Sequence, residues 1–323
     1  MNVLEQIKAP VAADLDRLRE TLRQVLQTEN PLLAKAVDHT LQASGKQIRP
    51  MLVMLAARMV GEVNESVVNV ALALEMLHTS SLVHDDIIDE SDRRRGLPSL
   101  NAVFGNKTAV LVGDYILCKG MELACKTDDM RVIKYIMQLG QALTEGELLQ
   151  LDCLESEELL EARYFEVISN KTASLFSVCA RLGALAAGGT EEEAERLARY
   201  GKLIGMCFQV RDDVFDYGQN DVGKPTGNDM KEGKLTLPVI YAITHSGNEE
   251  MRQLAMKVRR LEASDEEIAQ LVRFTIDEGA LDYAAWRMKD MQGMADGLID
   301  DSRNKEVADA LHLLAAFVAE RGM

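Results

Sequence analysis

The sequence is short of aromatic residues, which make up 5% of it, and holds only six prolines and five cysteines in 323 residues. The prolines stand at 10, 31, 50, 98, 225 and 238, so the 126 residues between Pro98 and Pro225 include none. Proline breaks helices by removing a backbone donor, and Ala, Leu, Met, Glu and Arg abound, so the chain is predicted to be all-α. The cysteines (118, 125, 153, 179 and 207) are odd in number and form no Cys-x-x-Cys pair. That pattern fits reduced thiols in a cytosol better than a disulfide framework or a zinc site. Positive charge is also scarce: 36 Lys and Arg against 52 Asp and Glu leave a net charge of −16, which argues against a nucleic-acid partner. No uninterrupted apolar run approaches the roughly 20 residues of a membrane span. The opening segment, MNVLEQIKAPVAADLDRLRE, is amphipathic and acidic, unlike a signal or transit peptide. A cytoplasmic protein is the expectation.

What is present is helical periodicity from end to end. Residues 11–29 are predicted as a first helix and Pro31 opens a second. The basic loop SGKQIRP (44–50) follows, then near-continuous helix from Met51 to Ile88 broken around Gly61–Asn64. Residues 93–105 are expected as a loop, 107–126 and 130–152 as helices, and 161–187 as a continuous helical stretch. Thr190 with Glu193 forms a capping box for the next helix, and Asn248 and Ser264 mark further N-caps. The polar, glycine-bearing stretch 216–234 is too long for a simple turn and is expected as a functional loop. With no linker, low-complexity tract or short-period repeat, 1–323 is expected as a single domain.

Two acid clusters carry the chemistry. Asp85, Asp86 and Asp89 lie in HDDIIDESDRRRG, and Asp212, Asp213 and Asp216 lie in FQVRDDVFDYG, with 212 − 85 = 127 residues between the starts. On a helix, i and i+4 share a face and i+1 lies about 100° round, so each Asp-Asp-x-x-Asp is expected to form a compact group of carboxylates. A single such string is more often a solvated acidic face. Two, each threaded with apolar residues, are not. Hard oxygen donors with room for more oxygens suit Mg²⁺, which binds through one or two carboxylates plus substrate phosphates. Cations stand nearby in glycine-bearing segments: Lys46 and Arg49, Arg94 and Arg95, then Lys171, Lys224 and Lys234. Arg offers a phosphate two parallel donors and Lys a point charge. The inventory predicts one anion held through metal and a second held directly by cations.

GKQIRP (45–50), HTSSLVHDDIIDESDRRRG (78–96), LVGDY (111–115), EGELLQL (145–151), KTASLF (171–176), FQVRDDVFDY (208–217) and GKPTGNDMKEGKLTLP (223–238) together resemble the trans-polyprenyl diphosphate synthases, nearly end to end. Among these the chain is most similar to bacterial long-chain enzymes of the octaprenyl type. The resemblance implies a single large helical bundle of the isoprenoid synthase type around a central substrate cavity. It also implies a homodimer and successive 1′–4 condensation of isopentenyl diphosphate onto an allylic diphosphate, with three Mg²⁺ ions. It places metal on Asp85, Asp89 and Asp212, with Asp86, Asp213 and Asp216 as further ligands or their hydrogen-bonded support. Arg94, Lys171, Lys224 and Lys234 would hold the allylic diphosphate. Gly45, Lys46, His78, Arg95 and Phe208 would form the isopentenyl site, Gln209 would lie between the substrates, and Arg49 and Thr172 would also bind substrate. His78 stands seven residues before Asp85, two turns away on the same face; a lone helical histidine is more often packed or capping, and it is the resemblance that implies the ligand role. The chain departs from the usual pattern at Gln47 and Leu97, where relatives commonly carry a basic residue.

Chain growth in the family is limited by bulk just before the first Asp. Here those positions are Ser80 and Ser81, both small, with Leu77 next on that face. A product longer than twenty carbons is therefore expected, made from farnesyl or geranylgeranyl diphosphate for quinone side chains, with at most transient membrane contact on release. A geranylgeranyl diphosphate synthase, a class I terpene cyclase and a non-catalytic synthase subunit are the alternatives.

Overall fold

The computed structural model describes residues 2–42, 45, 47–218 and 227–320. Lys46 and Lys224 lie outside the described residues. The fold is all-α. Its helices are α1 Val3–Lys8, α2 Ala12–Val25, α3 Pro31–Gln42, α4 Ile48–Val60, α5 Glu65–Ile88, α6 Leu100–Phe104, α7 Asn106–Cys125, α8 Met130–Glu155, α9 Glu161–Ile168, α10 Ser174–Ala186, α11 Glu191–Phe215, α12 Asn228–Lys231, α13 Leu237–Ser246, α14 Glu249–Arg259, α15 Asp265–Asp277, α16 Ala280–Asp296 and α17 Lys305–Glu320. Two two-residue strands, β1 Arg93–Arg94 and β2 Leu97–Pro98, make a small hairpin, and a π-helical turn, Ser169–Ala173, joins α9 to α10. The chain falls into two compact units: Met1–Gln138 with Val178–Ala198 and Asp300–Leu311, and Leu139–Ser177 with Arg199–Ile299 and His312–Met323.

In the first unit α5 packs against α4 and α7. Asn64 caps α5, its side chain accepting from Val67 N at 2.9 Å. From Val67 to Leu74 the helix is buried on every side, as a core helix must be when apolar residues ring it. By length and composition α5 alone among the described helices could cross a membrane, yet 72% of its apolar window is buried in the protein. Its polar residues, Glu75, His78, Asp85 and Asp86, begin where this apolar ring ends. The apolar half anchors the helix, and the half beyond it carries Glu75, His78, Asp85 and Asp86.

Three local expectations are corrected. The first helix does not run over 11–29: the Asn2–Glu5 capping box starts α1 earlier, and a 3₁₀ turn at Ala9–Val11 separates it from α2. The segment 93–105 is not a plain loop. Arg95 (φ 52°) and Gly96 (φ 81°) both adopt left-handed backbone, which makes the type I′ turn that closes a two-residue hairpin, and Ser99 then caps α6. The stretch 161–187 is interrupted by the π-helical turn that contains Lys171. The capping signals at Thr190, Asn248 and Ser264 each match an observed cap.

In the second unit α13 packs on α15 and α16, with α14 against α15. α12, over Asn228–Lys231, stands within the stretch expected as a functional loop.

Candidate active site

The first acid cluster sits at the C-terminal end of α5, with Asp89 as its C-cap. That end of a helix carries partial negative charge, so each carboxylate there opposes the macrodipole at a cost of about 0.3–1 kcal/mol. A bound cation would reverse the sign. The three acids nevertheless do not act alike. Asp86 is 3% exposed and turned inward, where Oδ1 accepts from Arg94 Nε at 2.9 Å and from its Nη2. Asp85 is half-buried and Asp89 exposed. The expected compact group of three is therefore a pair one turn apart, with Asp86 holding an arginine. The segment beyond is braced as well: Asn101 Nδ2 donates to the carbonyls of Asp86 (3.3 Å) and Ser91 (3.2 Å), and Ser99 Oγ donates to that of Ser91 at 2.7 Å.

Beside this cluster the first unit gathers Gly45, Arg49, His78 and Arg95. His78 Nε2 lies 2.7 Å from Arg49 Nη1. Burial, reinforced by Arg49, Arg95 and Arg94, holds the imidazole well below its usual pKa, so it is neutral and Nε2 accepts from Arg49. Its ring thereby orients the guanidinium. Gly45 allows a close approach: a Cβ there would lie 2.8 Å from Arg95 Cζ and Nη1 and would displace that guanidinium. Gln47 stands in left-handed backbone (φ 56°) at the N-cap of α4 but makes no capping bond. Its Oε1 accepts instead from Arg19 Nε at 2.9 Å, so a cation from α2 reaches the position where the sequence lacks one. Glu75 has its carboxyl pushed up by burial and pulled back by Arg49 and Arg95. It lines a 90 Å³ cavity with Thr79, Asp86, Arg94 and Arg95. Leu77, Ser80 and Ser81 do not line that cavity; Ser80 is 2% exposed and Ser81 Oγ donates to the His78 carbonyl.

The second unit holds a 210 Å³ cavity whose walls include Lys171, Thr172, Gln209, Asp213, Asp229 and Lys234. Here too the triplet divides. The Asp212 side chain is 43% exposed, with Arg211 Nη2 at 3.3 Å. Asp213 is 5% exposed, and both its oxygens accept, from Tyr164 Oη at 2.6 Å and from Gln209 Nε2 at 2.8 Å. Asp216 takes the backbone N–H groups of Asn228 and Asp229, each at 2.9 Å, and so caps α12. Burial, with Asp229 nearby, pushes the Asp213 carboxyl up to about 7. Burial and the Asp216 charge raise Asp229 to about 6. This end of the cavity has an excess of negative charge that a cation would relieve.

The cations are held by acids. Lys171 Nζ meets Glu147 (2.8 Å) and Gln150 Oε1 (3.2 Å), and Lys234 Nζ meets Glu232 at 2.6 Å. A diphosphate can replace these partners like for like. Phe208 packs on Phe176 at 5.5 Å with the Arg211 guanidinium 5.0 Å from its ring centre.

A profile of the Polyprenyl synthetase family matches residues 30–275. The chain belongs to the polyprenyl synthetase family. It is 35% identical over 320 residues to the octaprenyl diphosphate synthase of Haemophilus influenzae, covering 98% of this chain and 97% of that one. Its fold superposes with TM-score 0.90 on a polyprenyl synthase from Caulobacter crescentus CB15 complexed with calcium and isoprenyl diphosphate, at 31% identity over 98% of both chains. A geranylgeranyl pyrophosphate synthase from Bacteroides thetaiotaomicron gives TM-score 0.86 at 37% identity, covering 99% of this chain and 100% of that one. The protein is accordingly a Mg²⁺-dependent prenyltransferase that makes an isoprenyl diphosphate.

The donor set fits that metal. Among the described residues no three His, Cys, Asp or Glu side chains are gathered around one point. A cation would then take one or two carboxylates from a cluster and fill its shell from phosphate and water, which is the habit of Mg²⁺. Asp85 and Asp89 in the first unit, and Asp212 and Asp229 in the second, are half-buried or exposed carboxylates that could serve.

Sequence reasoning missed Arg19, Glu75, Glu147, Tyr164 and Asp229. Glu147 lay within a segment that carried the family resemblance, and Asp229 within another, but neither position reveals its partner. The other three make their contacts through folding alone.

Proposed function

We propose that the protein elongates farnesyl or geranylgeranyl diphosphate by successive 1′–4 condensation with isopentenyl diphosphate. The product would be an all-trans polyprenyl diphosphate longer than twenty carbons, suited to quinone side chains, with pyrophosphate released at each step. The observation that carries the length is small volume: Ser80, 2% exposed, and Ser81 stand within about one turn of Asp85, with no aromatic between. Mg²⁺, three ions in our reading, supplies charge stabilisation to the departing diphosphate. Asp85, Asp89 and Asp212 would hold it. Asp86, Asp213 and Asp216 would act as support, because their oxygens are already engaged within the protein. Arg94, Lys171, Lys224 and Lys234 bind the allylic diphosphate, and preorganised cations there meet charge as it develops. Gly45, Lys46, Arg49, His78, Arg95 and Phe208 serve isopentenyl diphosphate, with Gln209 and Thr172 between the two substrates.

The whole chain acts as one synthase domain in this reading and pairs as a homodimer. Val110 and Leu111 on α7 and Met130 and Met137 on α8 are exposed, large and apolar, which supports a second copy as their cover. The test is chain-length analysis of the alcohols formed from labelled isopentenyl diphosphate, Mg²⁺ and farnesyl diphosphate. A ladder ending well beyond twenty carbons supports the proposal. A product stopping at fifteen to twenty carbons makes the protein a short-chain synthase, and no elongation removes the reading altogether.

A further inference from the structure

Three hydrogen bonds run in series along the wall of the second cavity. Tyr164 Oη donates to Asp213 Oδ2 at 2.6 Å, Gln209 Nε2 donates to Asp213 Oδ1 at 2.8 Å, and Thr172 Oγ1 donates to Gln209 Oε1 at 2.8 Å. Their direction follows from valence. An amide nitrogen only donates and an amide oxygen only accepts, so Gln209 gives its NH₂ to the Asp213 oxygen and turns its carbonyl toward Thr172. The Thr172 hydroxyl must then give its one proton to Gln209. Its oxygen is left as an acceptor, on a residue that lines the cavity beside Lys171.

The end of the chain is Tyr164, on α9, seven residues before Lys171 and 8% exposed. We propose that Tyr164 is a positioning residue for the prenyl transfer: its hydroxyl fixes the Asp213 carboxylate so that Gln209 and Thr172 are locked in one donor–acceptor orientation. The assignment rests on the synthase reading above. Without that hydroxyl Asp213 has one donor instead of two and can rotate. The Gln209 amide then loses the constraint on which end faces Asp213, and the Thr172 proton is free to turn into the cavity. Buried polar chains of this kind are cooperative, so a loss at one end is felt at the other.

A tyrosine that served stability alone would give a different result, and Tyr200 provides the comparison. It is fully buried, lies in the same unit and takes no part in the chain. Tyr164→Phe and Tyr200→Phe each remove one buried hydroxyl and keep the ring. At saturating substrates Tyr164→Phe is expected to lower kcat by about 10- to 100-fold, the scale of a misoriented group, while KM for both diphosphates stays within about threefold. Tyr200→Phe should keep wild-type kcat at a similar melting temperature. Thr172→Val removes the far end, and the double variant with Tyr164→Phe should lose no more kcat than Thr172→Val alone. Should Tyr164→Phe melt too low to assay, both tyrosine variants are compared at a lower temperature at which each is folded. An active wild type in which Tyr164→Phe behaves as Tyr200→Phe, or in which the double loss is additive, overturns the assignment of Tyr164. A wild type that forms no prenyl product overturns the synthase reading itself.

Discussion

Asp85 and Asp86 are neighbours in sequence with opposite energetic roles, and replacing each by asparagine separates them. Asp86 is buried against Arg94, whose side chain is 32% exposed. Asp86→Asn exchanges hydrogen bonds to a charged group, worth about 1.5–3 kcal/mol, for neutral ones of about 0.5–1.5 kcal/mol, a loss of roughly 1–2 kcal/mol. At about 2–4 °C per kcal/mol, the melting temperature should fall by several degrees. Asp85 stands in the last turn of α5, where its charge opposes the helix dipole. Asp85→Asn should therefore leave the metal-free protein unchanged or up to about 1 kcal/mol more stable. Function should separate the other way. Incorporation of labelled isopentenyl diphosphate, titrated with Mg²⁺, should show Asp85→Asn needing about tenfold more metal, the loss of one charged ligand at roughly 1.4 kcal/mol. Asp86→Asn should keep its Mg²⁺ requirement and raise KM for the allylic diphosphate, because Arg94 is held less firmly. If instead Asp86→Asn melts as wild type and raises the Mg²⁺ requirement, the division of roles is wrong.

Gly45→Ala should raise KM for isopentenyl diphosphate by about tenfold with little change in melting, since the new Cβ displaces the Arg95 guanidinium; an unchanged KM refutes the close-approach argument. Ser80→Phe should shorten the product while leaving the first condensation intact, and an unchanged product ladder places the stopper elsewhere. His78 has a folded pKa well below that of the unfolded chain, so its neutral form is the stabilising one. Its contribution is present above about pH 6.5 and is lost as pH falls below that toward the folded value. Melting curves of wild type and His78→Gln should diverge at neutral pH and converge as the pH drops from about 6.5, and a gap that stays constant would falsify this linkage.

Much of the fold was legible in the sequence because helix formation is governed by neighbours. The Thr190–Glu193 box and the Asn248 and Ser264 caps were found by local pattern and bond as expected. The same locality explains the misses. The π-helical turn at Lys171 leaves the hydrophobic periodicity of 161–187 intact, so only the backbone reveals it. The turn at Arg95–Gly96 asks an arginine to adopt φ 52°, at a cost of about 1–2 kcal/mol that propensity argues against and the surrounding contacts supply.

The sequence by itself determined the chemical inventory: two sets of carboxylates, cations in glycine-bearing segments, and small side chains just before the first aspartate. Periodicity placed Asp85 and Asp89 one turn apart on α5 without reference to anything distant. Only the tertiary structure decided which acids face outward. Asp86 and Asp213 repeat the same motif position, yet one is held by Arg94 from a hairpin eight residues on and the other by Tyr164, 49 residues away. Burial and partnership belong to packing between distant segments, and packing is what turns identical residues in one motif into exposed carboxylates and buried, hydrogen-bonded ones.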